Sequence, residues 1–375
     1  MDLSFTSEQN MLRDSAAKFL SNECPFSEVK QIEESEEGYS PDLWRQIAEL
    51  GWTGLLFPEK YGGYEGQFMD LAIIQEEIGK TLLPSPFFST VIQCGLALLE
   101  GGTEAQKEEL IPQIAEGSLI MALAQYEESG SYLETGIEME AKADGDQYVL
   151  NGIKMFVVDA NIAQKLVVAA RTPEGVSLFL VDTDEPGVTA TKMPTIAMDN
   201  SCEVIFKDTK VTLLGDAPGK GWDVLESVTA KAAVARAAEM VGGCKVCIDM
   251  TAAYAKERVQ YEKPIGGFQA IQHYMANMLI AYDPLSTYLY RVAYLIDEGE
   301  DFSMEASVLK AMINENYKFI TDRAVQIHGG IGTTREYDIG LFFRKVKSWE
   351  FHCGDTDHHY EVVMDKLVDE GVPEW

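Results

Sequence analysis

Basic residues are scarce in this 375-residue chain: 30 Lys and Arg stand against 61 Asp and Glu, a formal net charge of -31. A field of that sign repels nucleic acid and anionic membrane, which argues against both as partners. The carboxylates are dispersed and form no acidic tail, so they read as a solubilising surface. Any phosphate-bearing ligand must then be met by locally gathered Lys and Arg or by helix N-termini. No apolar run long enough for a signal peptide or a membrane span precedes Glu28-Val29-Lys30, so a cytoplasmic protein with no membrane span is the expectation.

Cysteine and histidine are also few, at six and five. The six cysteines, Cys24, Cys94, Cys202, Cys244, Cys247 and Cys353, are spread along the chain. Cys244 and Cys247 lie three apart inside an apolar helical pattern with no second pair to follow, which suits buried helix thiols better than a zinc or redox site. His358-His359 lack a convergent set of ligands, and no metal is expected. His273 reads as a packing residue on an apolar-flanked helix, and His328 as one that orients the turn at Gly329.

What is present is a core-forming chain, 46% hydrophobic and long enough for two or three domains. Apolar residues recur at three- and four-residue spacing over Glu8 to Leu20, Asp42 to Leu50, Met69 to Gly79, Phe87 to Leu99 and Glu104 to Ala115, which predicts helices. Ser40-Pro41 and Thr103 are candidate caps. The period then shortens. Leu119 to Gln125, Glu138 to Asp144, Gln147 to Leu150, Met155 to Val158, Lys165 to Ala170, Val176 to Val181, Val188 to Lys192 and Cys202 to Phe206 alternate or run β-branched between turn residues. They predict an antiparallel sheet or small barrel. From Trp222 to about Lys366 the helical period returns. Gly242-Gly243 predicts a close helix crossing there, and Pro264 with Gly266-Gly267 a break between helices.

Several motifs fall in order along this helix, sheet, helix plan. They are Pro58-Glu59-Lys60-Tyr61-Gly62-Gly63, Tyr148-Val149-Leu150-Asn151-Gly152-Ile153-Lys154, Arg258-Val259-Gln260-Tyr261-Glu262-Lys263-Pro264-Ile265 with Phe268-Gln269, and Gln326-Ile327-His328-Gly329-Gly330-Ile331-Gly332. Together they resemble the acyl-CoA dehydrogenase family over essentially the whole length. That resemblance implies an α+β protein with an N-terminal helical domain (1–117), a middle antiparallel β domain (118–221) and a C-terminal four-helix domain (222–375). It implies a tetramer or dimer that binds FAD, takes acyl-CoA as substrate and passes electrons to an electron-transfer flavoprotein.

The flavin contacts implied by the resemblance are Gln125, Phe156, Val158, Arg258, Gln260, Gln269, Gln326, Gly329 and Gly330. An arginine fork such as Arg258 meets a pyrophosphate bidentately, and Gly329-Gly330 would let backbone approach the cofactor with no Cβ between. Read without the resemblance, Arg258 is a surface salt-bridge residue and Gly329-Gly330 a plain helix break.

The chain departs from the family at the chemistry. The family's base is a glutamate before a glycine near the C-terminus, or one on the first helix of the last domain. Those places fall on Cys353 and Ala232, and neither is acidic. No cation adjoins Cys353 in sequence to lower its thiol pKa. Asp355, Asp357 and His352 lie within about a turn of Cys353, where structural roles are favoured. The family's Leu-Thr-Glu-Pro strand appears as Leu123-Ala124-Gln125-Tyr126 and its Trp-x-Thr pair as Phe156-Val157-Val158, with the hydroxyl lost at Val158. Glu262 replaces a glycine, and Asp355 a threonine. Gly354-Asp355-Thr356-Asp357-His358-His359 resembles a subgroup that includes pairs of unlike subunits, one of which supplies the base. The expectation is a subunit that lacks its own conventional base and is completed by an unlike acyl-CoA dehydrogenase subunit. The alternatives are a self-sufficient enzyme with a relocated base and a non-catalytic acyl-CoA-binding or structural subunit; the catalytic residue is left unassigned.

Overall fold

A computed structural model describes residues 5–145 and 147–370. Helices come first: α1 (Ser7–Glu23), α2 (Phe26–Glu34), α3 (Pro41–Glu49), α4 (Phe68–Thr81), a π-helical segment Phe88–Gly95 that runs on into α5 (Leu96–Gly101), and α6 (Glu104–Ala115). Seven strands follow: β1 (Met121–Ala124), β2 (Ala141–Asp144), β3 (Gln147–Val158), β4 (Lys165–Thr172), β5 (Gly175–Asp182), β6 (Val188–Lys192) and β7 (Ser201–Leu213). The last part holds α7 (Gly221–Glu257), a short hairpin of β8 (Val259–Gln260) and β9 (Lys263–Pro264), α8 (Gln269–Asp297), α9 (Ser303–His328), α10 (Ile339–Trp349) and α11 (Thr356–Glu370). Among the described residues no helix is long and apolar enough to cross a membrane.

Local chemistry explains the helix ends. Thr6 with Gln9, and Thr103 with Gln106, form reciprocal capping boxes on α1 and α6. Ser40 caps α3 with Pro41 in its first turn. Each device satisfies amides that a helix leaves unpaired. The segment Phe87 to Leu99 is helical but wound as a π-helix over Phe88–Gly95. There Thr90 Oγ1 donates to Met121 O at 3.0 Å and accepts from Met121 N at 3.0 Å, while Ser89 Oγ reaches Asp159 Oδ2 at 2.6 Å. Helix α2 lies outside the helices read from the sequence.

The chain divides into two compact units. One (residues 31–67 and 84–232) holds the sheet, in strand order β1-β4-β5-β7-β3-β2 with β6 paired to β7. Every pairing is antiparallel except β1, which adds parallel to β4. The two strands expected at Gln147–Leu150 and Met155–Val158 are one strand, β3. Its register against β7 shifts between Leu150 and Gly152 and again between Lys154 and Val157, so the alternation that marks a strand is interrupted there.

The other unit (1–30, 68–83 and 233–375) packs α1 and α4 with the C-terminal helices. A Cβ on Gly242 would lie 2.0 Å from Glu76 O, and one on Gly79 would lie 1.9 Å from Glu239 O. Glycine is therefore what allows α4 and α7 to cross so closely. Asp297, at the end of α8, accepts from the first amides of α4: Phe68 N at 2.5 Å and Met69 N at 3.0 Å. Burial raises the Asp297 pKa, and those two amides oppose the rise. Replacing Asp297 by Ala is expected to remove this long-range cap and cost about 1–2 kcal/mol, read by urea denaturation with an unchanged m-value.

Candidate functional site

In the sheet-bearing unit, the end of β1 and the bulge of β3 are fastened together by a buried lysine. The Lys154 side chain is fully buried, and its Nζ donates to Gln125 O at 3.1 Å and Glu127 Oε1 at 2.6 Å. The Glu127 carboxylate in turn accepts from Glu138 N and Met139 N. Burial lowers the Lys154 pKa to about 8, against the attraction of Glu127. Next to this clip, Met155 N donates to Tyr126 O at 2.9 Å. Gln125, which is buried, and the β3 bulge are thereby brought side by side.

The bulge sets Phe156 at φ 55°, in the left-handed region, with its ring 51% exposed. A non-glycine residue in that region marks strain worth a functional hypothesis. An exposed phenyl ring beside a buried polar strand end offers an apolar platform to a planar ligand. Val158 ends β3 opposite Ser201 and is half-buried.

In the helical unit, Gln326, Gly329 and Gly330 line one cavity of about 410 Å³, with Asp322, Val325, Thr333 and Phe343. A Cβ built on either glycine meets nothing within 4 Å, and Gly329 has φ 67°. The space beside this backbone is open for a ligand to approach. His328 is buried just before the turn, its Nδ1 2.7 Å from Ala324 O and its ring stacked 4.4 Å from that of Tyr254. Burial lowers its pKa, opposed by the Ala324 hydrogen bond.

Arg258, Gln260 and Gln269 lie around the β8–β9 hairpin, all exposed. The two residues at its tip, Tyr261 and Glu262, have φ 52° and 65°, a pattern that favours glycine or asparagine. A glycine at 262 would adopt that turn without penalty.

The fourth element is the connection from α10 to α11. Cys353 is buried with φ 61°, followed by Gly354 at φ 108°. Burial pushes the Cys353 thiol up to about 11. The sequence shows no cation beside it, but the fold supplies two, Lys310 and Arg236, and their attraction does not offset burial. Ala232 is fully buried. Asp355 Oδ1 accepts from His358 N at 2.9 Å, which makes it the cap of α11. His352 Nε2 lies 3.3 Å from Ser348 Oγ. His359 Nε2 lies 3.0 Å from Cys353 O. Burial, then Lys310 and His358, hold the His359 pKa down to about 3, so its ring is neutral and donates to that carbonyl.

Sequence reasoning missed the residues that hold these segments. Lys154 lies within a turn motif that carries no sign of its burial. Lys310 and Asn314 do carry one: a lysine and an asparagine four apart on the apolar face of a long helix signal a buried polar pair. Arg236 and Glu239 are a further buried pair. They form a buried ion pair on α7, Gln75 Nε2 donates to Glu239 Oε1 at 2.9 Å, and the Arg236 guanidinium lies 4.9 Å from the Trp349 ring centre.

Three outcomes follow from this geometry. Asp355→Ala is expected to cost about 1 kcal/mol of stability as a lost cap, measured by denaturant titration. Glu262→Gly should relieve the left-handed strain and gain about 1 kcal/mol on the same measurement. The folded-state pKa of Lys154 lies below its unfolded value, so the folded chain binds fewer protons between about pH 8 and 10.5. Stability relative to Lys154→Met should therefore rise with pH through that window, which melts at stepped pH would read.

Comparison with known proteins bears on the whole chain. Family models described as the acyl-CoA dehydrogenase N-terminal, middle and C-terminal domains match residues 6–118, 122–209 and 219–368. The chain is 30% identical to the acryloyl-CoA reductase (NADH) of Anaerotignum propionicum, over 98% of this chain and 96% of that one. It is also 30% identical to the caffeyl-CoA reductase-Etf complex subunit of Acetobacterium woodii, over 97% and 99%. Among solved structures it resembles the Tcur3481-Tcur3483 steroid ACAD with a TM-score of 0.88 at 28% identity, covering 96% of this chain and 98% of that one. Matched in all three parts and in order, the chain belongs to the acyl-CoA dehydrogenase family.

Proposed function

We propose that this chain is one subunit of a flavoprotein that oxidises a CoA thioester at Cα–Cβ, and that an unlike subunit of the same family completes its chemistry. Membership in the family carries the coarser part, FAD-dependent oxidation of an acyl-CoA. The observation that carries the finer part is the absence of a carboxylate at both customary base positions, Cys353 and Ala232.

Each unit, taken by itself, fits part of a flavin dinucleotide: the exposed Phe156 and the pinned Gln125 strand end suit a planar ring system, and the open glycine turn of Gln326, Gly329 and Gly330 suits the close approach of a dinucleotide. When bound, the flavin supplies the acceptor for the Cβ hydride. In this reading Phe156 gives the ring system an apolar face, and Arg258, Gln260 and Gln269, together with the turn of Gln326, Gly329 and Gly330, meet the dinucleotide of a neighbouring subunit. Val158 offers no hydroxyl to a flavin nitrogen, which weakens tuning of hydride acceptance.

Removal of the Cα proton needs a base with an accessible lone pair at working pH. Burial keeps the Cys353 thiol protonated near neutrality, and Asp355 is engaged as a helix cap. The proton therefore goes to a carboxylate of the unlike subunit. The paired designation of the Tcur3481-Tcur3483 steroid ACAD supports a two-chain assembly. The Etf-complex relative supports an electron-transfer flavoprotein as the electron acceptor. We assign the N-terminal, middle and C-terminal parts to 1–117, 118–221 and 222–375.

The test is coexpression with a base-bearing family member, followed by visible spectra and an enoyl-CoA assay of the heteromer and of the single chain. Turnover is expected in the heteromer alone. Normal turnover by the single chain would favour a relocated base, and a colourless chain that binds acyl-CoA without turnover in any pairing would favour the non-catalytic reading.

A further inference from the structure

Lys310 is fully buried on α9, and its ammonium is spent entirely on one connection. Its Nζ donates to Trp349 O, Glu350 O and Gly354 O, each at 3.2 Å, and to Asn314 Oδ1 at 2.6 Å. Asn314 Nδ2 also donates to Glu350 O at 3.2 Å. Trp349 and Glu350 end α10, so their carbonyls have no partner within the helix. A cation placed there completes the helix terminus. Gly354 O belongs to the far side of the turn, so the same nitrogen ties the end of α10 to the entry of α11 across the left-handed pair Cys353-Gly354.

An apolar side chain at 310 would leave three carbonyls without this donor, and a salt bridge is no substitute for a grip aimed at backbone dipoles. Burial lowers the Lys310 pKa to about 7. Four acceptors around three N–H bonds favour the ammonium over the amine, which has only two.

We propose that Lys310, with Asn314, is the positioning residue that fixes the Trp349–Asp355 turn in the shape needed to seat an acyl thioester. This rests on the functional reading above, in which that turn carries a customary base position of the family at Cys353. Lys310 does not touch the reacting atoms; it acts through the backbone of Cys353 and Gly354.

The experiment uses the full chain in its heteromer, with Lys310→Met and Asn314→Ala. Hydrogen–deuterium exchange is expected to accelerate about tenfold or more in residues 350–355 while the glycine turn 329–333 at the other end of α9 is unchanged, and acyl-CoA to dissociate about tenfold more readily at constant flavin content. Should Lys310→Met fail to fold, Asn314→Ala decides, with a smaller shift confined to the same segment. Acceleration spread evenly over the unit, or acyl-CoA affinity unchanged while the turn loosens, would overturn the proposal. A wild-type heteromer that binds no acyl-CoA would refute the functional reading instead, and the exchange measurement would still decide what Lys310 holds.

Discussion

In each unit, taken by itself, a buried lysine ammonium is the constraint that holds a candidate segment in place. Lys154 fastens the end of β1 to the bulge of β3, and Lys310 fastens the end of α10 to the entry of α11. Each side chain is fully buried, and each is depressed in pKa by that burial. Replacing buried charge by well-packed apolar side chains is often neutral or stabilising. Such lysines are therefore poor instruments of bulk stability. What they supply is direction: Lys310 selects an arrangement of three carbonyls and Lys154 one of a carbonyl and a carboxylate, where an apolar contact would accept several.

Strain sits beside each clamp. Phe156 follows Lys154 by two residues in the left-handed region, and Cys353 occupies the same region at the edge of the Lys310 grip. Non-glycine residues in that region persist where surrounding structure over-determines them. The clamps are the over-determining contacts at Phe156 and Cys353, two of the positions that the sequence singles out. Chain charge enters only weakly. A net charge of -31 sets the outer surface, while at Cys353 burial outweighs the attraction of Lys310 and Arg236, two buried cations that the overall balance conceals.

The sequence made the helix, sheet, helix order legible because periodicity survives wherever an element has one buried face. It failed where geometry departs from a regular period. The β3 bulge split one strand into two readings, and the π-wound segment at Phe88–Gly95 carries the same apolar spacing as an ordinary helix. Among candidate residues, Gly329 and Gly330 were legible as a helix-ending turn with open space beside the backbone. Lys310 was not. Asn314 at four residues hints at a buried polar pair, but the backbone partners of Lys310 lie 39 to 44 residues away at Trp349, Glu350 and Gly354, beyond any local pattern.

The separation between scaffold and chemistry bears on why the turn is kept. If Cys353 marked only a lost site, nothing would require its carbonyl to be held by a neutral His359 or its neighbours' carbonyls to converge on Lys310. A turn free of ligand duty could relax from the left-handed region at Cys353 and place Lys310 in solvent at lower cost. The fold instead holds Cys353 at φ 61° and gathers Lys310, Asn314 and His359 on the same turn, with a cysteine and not a carboxylate at its centre. A subunit that still presents a surface to the thioester while another chain removes the proton has a physical need for that shape, and a purely structural subunit does not.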